Sequence, residues 1–389
     1  MGKSVEKIRV IIVHTASGNT FGDRIRIGKV QDSLINAGFE VFSLRLPIVQ
    51  RNDLLVPANL KSLLLGTISL NNFFQIRSRV PFQNPIDLAI ISTSLEYLRR
   101  EVKRIRPTFI ISETATAGLA VSIVSREFAI PCIVDMHGLA FAEALGSKKG
   151  NWKLILRMEI EALKNCTYVV VVSRKMREYV TQKMGVPNTK IIVASNGAEP
   201  QKVHADYARP LKVIFAGGFA YWEKVQDFIE IAKQANPQKF KFFLAGDGPL
   251  RIELLEKIKK DNIPVTYLGR IPKQRIFSIL SKAQVGIAPS TWDLTRQVAS
   301  PIKIFDYLAA GLPVITPRIG DCGDLINDED CGFALNDEST GKYIEALNLL
   351  ADKNTWIRKS KNAIKVTKEK YSWNKTLQPL TNFLLNVTK

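Results

Sequence analysis

The chain of 389 residues contains no run of about 18 consecutive apolar residues, the length at which a helix begins to span a bilayer. The nearest approach, Leu54 to Phe74, is interrupted by Pro57, Lys61 and several Asn and Ser, so no membrane-crossing helix is expected. An apolar leader is also missing. Met1-Gly-Lys-Ser-Val-Glu-Lys7 runs straight into a strand, which points to a cytoplasmic protein. Cys132, Cys166, Cys322 and Cys331 show no Cys-x-x-Cys spacing, and only His14, His137 and His204 could join them, which argues against a metal site. Internal repeats and low-complexity segments are absent too. Acid is in short supply: 55 Lys and Arg against 36 Asp and Glu leave a net charge of +19, of which +12 falls in residues 1–205. That excess implies an anionic partner or surface, but no reader motif or aromatic stacking set accompanies it, so nucleic acid is not the expected partner.

What is present reads as alternating strand and helix. Arg9–His14, Val41–Leu44, Leu88–Ser92, Thr108–Ile111, Cys132–Asp135, Tyr168–Val172 and Ile191–Ser195 are short apolar runs separated by helical patterns, which predicts a parallel, doubly wound sheet. After the polar stretch Glu199–Pro210 the alternation restarts at Leu211–Ala216 and continues through Phe240–Ala245, Val265–Leu268, Val285–Ala288 and Val314–Thr316. The expected fold class is α/β: two Rossmann-like doubly wound domains, 1–205 and 206–371, facing a cleft that is the default site.

The segment Val298–Val314 carries the clearest chemistry. Ser300 stands where an N-cap would, Pro301 suits a first helical turn, and Ile304, Phe305, Leu308 and Ala309 repeat at helical spacing. Gly311 stops the helix and Pro313-Val314-Ile315 begins a strand. Free amides at such a helix start, with Lys303 in its first turn, form a receptor for phosphate oxygens, and Asp306 one turn on is placed to accept from sugar hydroxyls. His137 and Gly138 follow a buried strand, where side chains of such folds point at ligand, and Asp135 two residues earlier is a second candidate whose facing the alternation leaves open. His14 and His204 read as structural or exposed. Gly18, Asn19 and Gly22, with Asp23 and Arg24 opening the next helix, would let backbone approach a ligand in the first turn. Gly246-Asp247-Gly248-Pro249 fails as a dinucleotide fingerprint because Arg251 replaces the third glycine, and Asp328-Glu329-Asp330 reads as solvated surface. From Leu95 to Arg106 a helix is predicted with Leu95, Leu98, Val102 and Ile105 on one face and Arg99, Arg100, Lys103 and Arg106 on the other; it is a solvated face or a rest for anionic lipid heads.

Taken in order, Gly18-Asn19, Val134-Asp135-Met136-His137-Gly138, Val171-Val172-Ser173, Ser195-Asn196-Gly197, Phe215-Ala216-Gly217-Gly218, Gly246-Asp247-Gly248-Pro249, Leu268-Gly269-Arg270, Ala288-Pro289-Ser290 and the 298–314 segment resemble the retaining GT-B glycosyltransferases of family 4. The resemblance covers nearly the whole chain. It implies a UDP- or GDP-sugar as co-substrate on the second domain, a glycan or lipid-linked acceptor on the first, no metal or other cofactor, and a last helix, 372–389, that crosses back to the first domain. By the same resemblance His137 and Lys303 serve catalysis, while Gly218, Lys224, Arg270, Ser300, Pro301, Ile302 and Asp306 hold the donor. The family's paired glutamates stand eight apart; the second aligns with Asp306 and the first with Val298, so the first carboxylate is missing. Donor-sugar contacts then come from elsewhere, with Asp293 or backbone as candidates. Gly218 stands where the family often has Arg, and Lys224 is the candidate replacement. An epimerase of the same fold is the competing expectation, although it would need acid–base carboxylates that the sequence supplies sparsely.

Overall fold

The computed structural model describes residues 7–15, 21–46, 85–148 and 151–387, which form two compact units, Met1–Ala194 with Leu377–Lys389, and Ser195–Thr376. Gly18, Asn19 and the Leu54–Phe74 segment lie outside the described residues. The unit boundaries differ from the expected 205/206 and 371/372 for a local reason. Asn196 donates from Nδ2 to the Ser300 carbonyl, Ala198 donates to the Tyr371 carbonyl and Ala205 to the Ala310 carbonyl, so the polar stretch is tied to the second unit from its start.

The first unit is built from β1 (Arg9–His14), α1 (Phe21–Asn36), β2 (Glu40–Arg45), α2 (Pro85–Ile105), β3 (Phe109–Glu113), α3 (Thr114–Glu127), β4 (Cys132–Met136), α4 (Ala140–Gly146), α5 (Trp152–Asn165), β5 (Tyr168–Val171), α6 (Arg174–Met184) and β6 (Ile191–Val193). Its six strands are parallel in the order β2-β1-β3-β4-β5-β6. Every residue of β3 and β4 is buried, as expected of strands covered on both faces by helices. Ser173 caps α6 by accepting from the Met176 amide at 2.9 Å, and Gly185 ends it in the left-handed conformation, φ 71°. One expected strand is a helix: Leu88–Ser92 lies inside α2. Pro85 opens that helix, and the buried stripe Leu95, Leu98, Val102, Ile105 sets a helical period that the short apolar run continues; a run of that length does not by itself distinguish strand from buried helix.

The second unit follows as β7 (Leu211–Gly218), α7 (Val225–Gln234), β8 (Phe240–Asp247), α8 (Arg251–Lys260), β9 (Val265–Gly269), α9 (Lys273–Leu280), β10 (Val285–Ile287), α10 (Leu294–Gln297), α11 (Ile302–Ala309), β11 (Val314–Pro317), α12 (Gly320–Asp328), β12 (Gly332–Leu335), α13 (Thr340–Leu350) and α14 (Lys353–Glu369). The sheet order β12-β11-β10-β7-β8-β9 turns back between β7 and β10. Alternation along β7 sends Val213 and Phe215 into one core, with Phe228, Phe242 and Ile315, and Ile214 and Ala216 into the other, with Phe305, Tyr307 and Trp356. β12 has no counterpart among the expected strands, since its four residues carry too little alternation to stand out. The chain closes with α15 (Trp373–Val387), which begins in the second unit and continues into the first. All four cysteines are buried free thiols. Among the described residues, no helix is long and apolar enough to cross a membrane.

Candidate functional site

In the second unit Gly218 and Lys303 lie at the carboxyl end of β7, beside β10, where the strand order reverses, while Arg270 follows β9. Here the chain closes up so tightly that side chains are excluded. A Cβ on Gly246, φ +143°, would fall 1.9 Å from the Gly217 carbonyl oxygen, and one on Gly248 2.6 Å from the Phe219 nitrogen. The Gly246-Asp247-Gly248 run is therefore a close-approach device that lets the end of β8 lie against the end of β7. Gly218 has open space where its side chain would be.

Beneath that strand end lies Lys303. Its ammonium bonds the Glu223 carboxylate, sits 4.3 Å from the Phe215 ring centroid and fills the space that a Cβ on Gly217 would need. Both members of the pair are almost fully buried, with side-chain exposures of 10% and 9%. Arg296 approaches the other Glu223 oxygen at 3.8 Å. Burial alone would raise the Glu223 pKa, but the Lys303 and Arg296 charges outweigh it and hold the carboxylate below its ordinary range; burial lowers that of Lys303 against the opposing pull of Glu223. The cluster carries a net charge of +1 with two cations on one anion. This corrects the sequence picture of Lys303 as a phosphate-facing side chain, because the ammonium is committed to Glu223 under the β7 end.

The start of α11 also differs from expectation. Pro301, not Ser300, is the N-cap residue, and it offers no side-chain capping bond. Ser300 is turned away: its hydroxyl meets Ser195 Oγ at 3.0 Å and accepts from the Asn196 amide at 3.3 Å. A proline that fixes its own φ leaves serine free to bind the incoming chain instead. Pro301, Ile302 and Asp306 are half-buried. The Asp306 carboxylate makes no hydrogen bond or ion pair among the described residues, and burial pushes its pKa up to about 7 against a weak opposing charge from Lys273. Lys224 adopts a left-handed backbone, φ 42°, and its ammonium is shared between Glu338 and, at 3.4 Å, Asp227. Arg270 is exposed just past β9.

The first unit has its own polar centre. Arg26 of α1, 1% exposed, forks onto Asp135 with contacts of 2.7 and 3.0 Å, and His137 Nε2 lies 3.2 Å from the same carboxylate. His137 Nδ1 faces Glu113 Oε1 at 3.7 Å. Burial would raise the Asp135 pKa, but Arg26 and then His137 bring it well below the usual carboxylate range. Asp135 thus faces inward and fixes the imidazole. Glu159, also buried, takes the Ala140 and Phe141 amides at 2.8 and 3.2 Å and so caps α4; burial pushes its pKa up to about 7. Asp23 and Arg24 fall in the first turn of α1, Arg24 exposed.

Two surface readings change. On α2, Arg99 forks onto Glu127 and reaches Glu96, each at 2.7 Å, while Arg100 and Arg104 both pair with Glu101, so the basic face is partly neutralised. Asp330 pairs with Lys359 at 2.6 Å and with Arg358, and Glu329 with Lys370 at 2.5 Å, so this acidic run anchors α14 rather than standing free in solvent. Glu223, Arg296, Arg26 and Glu113 carry no spacing signal in the sequence. Arg26 alone leaves a trace, a cation between Ile25 and Ile27 in α1.

Residues 210–353 match the family model described as glycosyl transferases group 1, and residues 71–197 the glycosyl transferase 4-like domain. A glycosyltransferase of Methanocaldococcus jannaschii, MJ1607, is 22% identical over 272 residues, 65% of this chain and 68% of its own. The sucrose-phosphate synthase of Thermosynechococcus elongatus superposes with a TM-score of 0.77 at 14% identity, covering 98% of this chain and 99% of that one. HepE of Anabaena, solved in complex with UDP and glucose, superposes with a TM-score of 0.71 at 13% identity, covering 97% and 100%.

Proposed function

Since the chain belongs to the group 1 glycosyltransferases, we propose that it moves a sugar from a UDP- or GDP-sugar to a glycan or lipid-linked acceptor, with retention of configuration and without a metal ion. The observation that carries this reading is the set of groups on the second unit: open space at Gly218, an α11 start whose N-cap residue Pro301 offers no side-chain bond, a carboxylate at Asp306 without a hydrogen-bond partner among the described residues, and a fixed net positive charge under the β7 end. Departure of a nucleoside diphosphate builds negative charge, which preorganised amides and cations stabilise without reorganising. Lys303 contributes through its field from under Gly217, held there by Glu223. Asp306 accepts from ribose hydroxyls, and Arg270 and Lys224 line the approach. HepE was solved with UDP-glucose, which favours the uridine nucleotide as the first donor to try.

Retention is favoured by the state of Asp135. A carboxylate locked by Arg26 and His137 and held far below its ordinary pKa is a poor nucleophile, so a front-face route in which the leaving phosphate takes the acceptor's proton needs no enzyme nucleophile. Asp135 then orients His137, whose role is to hydrogen-bond the donor sugar. Calorimetric titration of UDP, GDP and their sugars with EDTA present tests the assignment: binding of one nucleotide class is expected, and no binding of any overturns it.

A further inference from the structure

Glu159 of α5 is 1% exposed, and among the described residues no cation pairs with it. Acidic side chains are almost never buried so completely without a counter-charge. What this one holds is backbone. Its two oxygens accept the amides of Ala140 and Phe141, which open α4, at 2.8 and 3.2 Å. Leu139, the N-cap residue of that helix, supplies no side-chain bond, so the start of α4 is fixed from a different helix. A helix of seven residues could be capped more simply by a serine or aspartate at its own N-cap. The burial of Glu159 therefore points to what the start of α4 carries, which is the turn of His137 and Gly138.

Only His137, Gly138 and Leu139 separate the end of β4 from α4. The His137 imidazole is tied to the strand by Asp135 at 3.2 Å, and its backbone is tied to α4. The turn has little play. The Leu139 carbonyl accepts the Ala142 and Glu143 amides at 3.0 and 3.1 Å, and a Cβ on Gly138 would fall 2.8 Å from Glu143 Oε1. A shift at Ala140 is thus passed along the chain to His137. The carboxylate form of Glu159 is the one that grips both amides, because protonation turns one accepting oxygen into a hydroxyl and loosens one of them. Burial pushes the Glu159 pKa up to about 7; the Ala140 and Phe141 amides oppose that rise and the charge of Glu143 on α4 adds to it. Tyr179 of α6, stacked on Phe141 with ring centroids 6.4 Å apart, also senses the Glu159 charge. The grip is accordingly complete above that value and slackens as pH falls through it.

We infer that Glu159 is a positioning residue for His137, clamping the start of α4 so that the imidazole keeps its place toward the donor sugar. The role toward the sugar rests on the nucleotide-sugar reading above; the coupling of the two residues does not. The chain has three histidines, so the His137 ring signals in a nuclear magnetic resonance spectrum are assigned by their loss in His137→Gln. In the native protein the Ala140 and Phe141 amide shifts should titrate together at about pH 7, and the His137 ring should show a step at that midpoint besides its own protonation. Glu159→Gln keeps the shape and one acceptor, and in it the step should vanish. With near-UV circular dichroism as the check on folding, Glu159→Gln should hydrolyse UDP-glucose or GDP-mannose, whichever the native protein cleaves, about tenfold more slowly at saturation, with KM within about twofold. A His137 ring that ignores the amide step overturns the clamp, and this measurement on the native protein decides the matter even if Glu159→Gln folds poorly. An unchanged kcat, or a loss confined to KM, overturns the positioning role. Failure of the native protein to bind either nucleotide sugar overturns the donor reading, whereas the ring titration, which needs no ligand, still decides the clamp.

Discussion

Lys303 and Glu223 show what a single residue can conceal. Lysine in a first helical turn reads as exposed, because the sequence gives no sign of the glycine and the phenylalanine ring that make room for it. Removing one partner of a buried ion pair strands the other and typically costs about 3–5 kcal/mol, whereas replacing both by apolar groups is often neutral. Lys303→Met and Glu223→Leu are each expected to lower the denaturation midpoint sharply, and the double variant to recover most of the loss. Additive losses in a urea titration would show that the two groups do not act as a pair.

Asp306 and Glu159 give the pH dependence its sign. Both carboxyls are pushed by burial from ordinary values of 3.8 and 4.5 up to about 7, so between roughly pH 4 and pH 7 the folded chain holds protons that the unfolded chain has released. Stability should therefore fall as pH rises through that window, against any opposing groups. Asp306→Asn removes its share, and thermal scans at pH 5 and pH 7.5 should lie closer together in that variant. An unchanged difference would mean that the Asp306 carboxyl titrates normally.

At the scale of elements, most strands were legible because parallel strands buried on both faces read as continuous apolar runs. The failures have physical causes. Leu88–Ser92 is short and apolar, and only the stripe downstream of it decides for helix; β12 is a four-residue edge strand that pairs with β11 alone among the described strands. The candidate site was legible in the same uneven way. The α11 segment, Asp306 and His137 stood out by motif, while Arg26, Glu113, Glu223 and Arg296 matter only through partners distant in sequence. Glycine at the ends of β7 and β8 supports a further prediction. Gly246→Ala must relieve a Cβ placed 1.9 Å from the Gly217 carbonyl oxygen and adopt an unfavourable φ, which by itself costs about 1–3 kcal/mol. Nucleotide affinity should fall with stability, since both β strands end at the proposed donor site. Loss of stability with full affinity would place the ligand elsewhere.

For the whole molecule, the net charge of +19 remains the property with the widest reach. Part of the α2 basic face is spent on Glu96, Glu101 and Glu127, so any attraction to a membrane must come from the summed field. If the acceptor is lipid-linked, flotation with anionic vesicles should show association at about 0.01 M salt that disappears near 1 M, as the Debye length shrinks about tenfold. No association at low salt would favour a soluble glycan acceptor. A nucleotide held at about 100 times its dissociation constant should stabilise the protein by about 2.7 kcal/mol, a shift readable by thermal scanning across the donor panel.

Two buried thiols lie in each compact unit, Cys132 and Cys166 in the first, Cys322 and Cys331 in the second, and burial pushes the last two up to about 12. Such sulfurs stay inert until the fold around them breathes. Alkylating reagents, followed peptide by peptide, therefore clock the opening of each half independently, and a bound sugar nucleotide should slow the clock in the second half first.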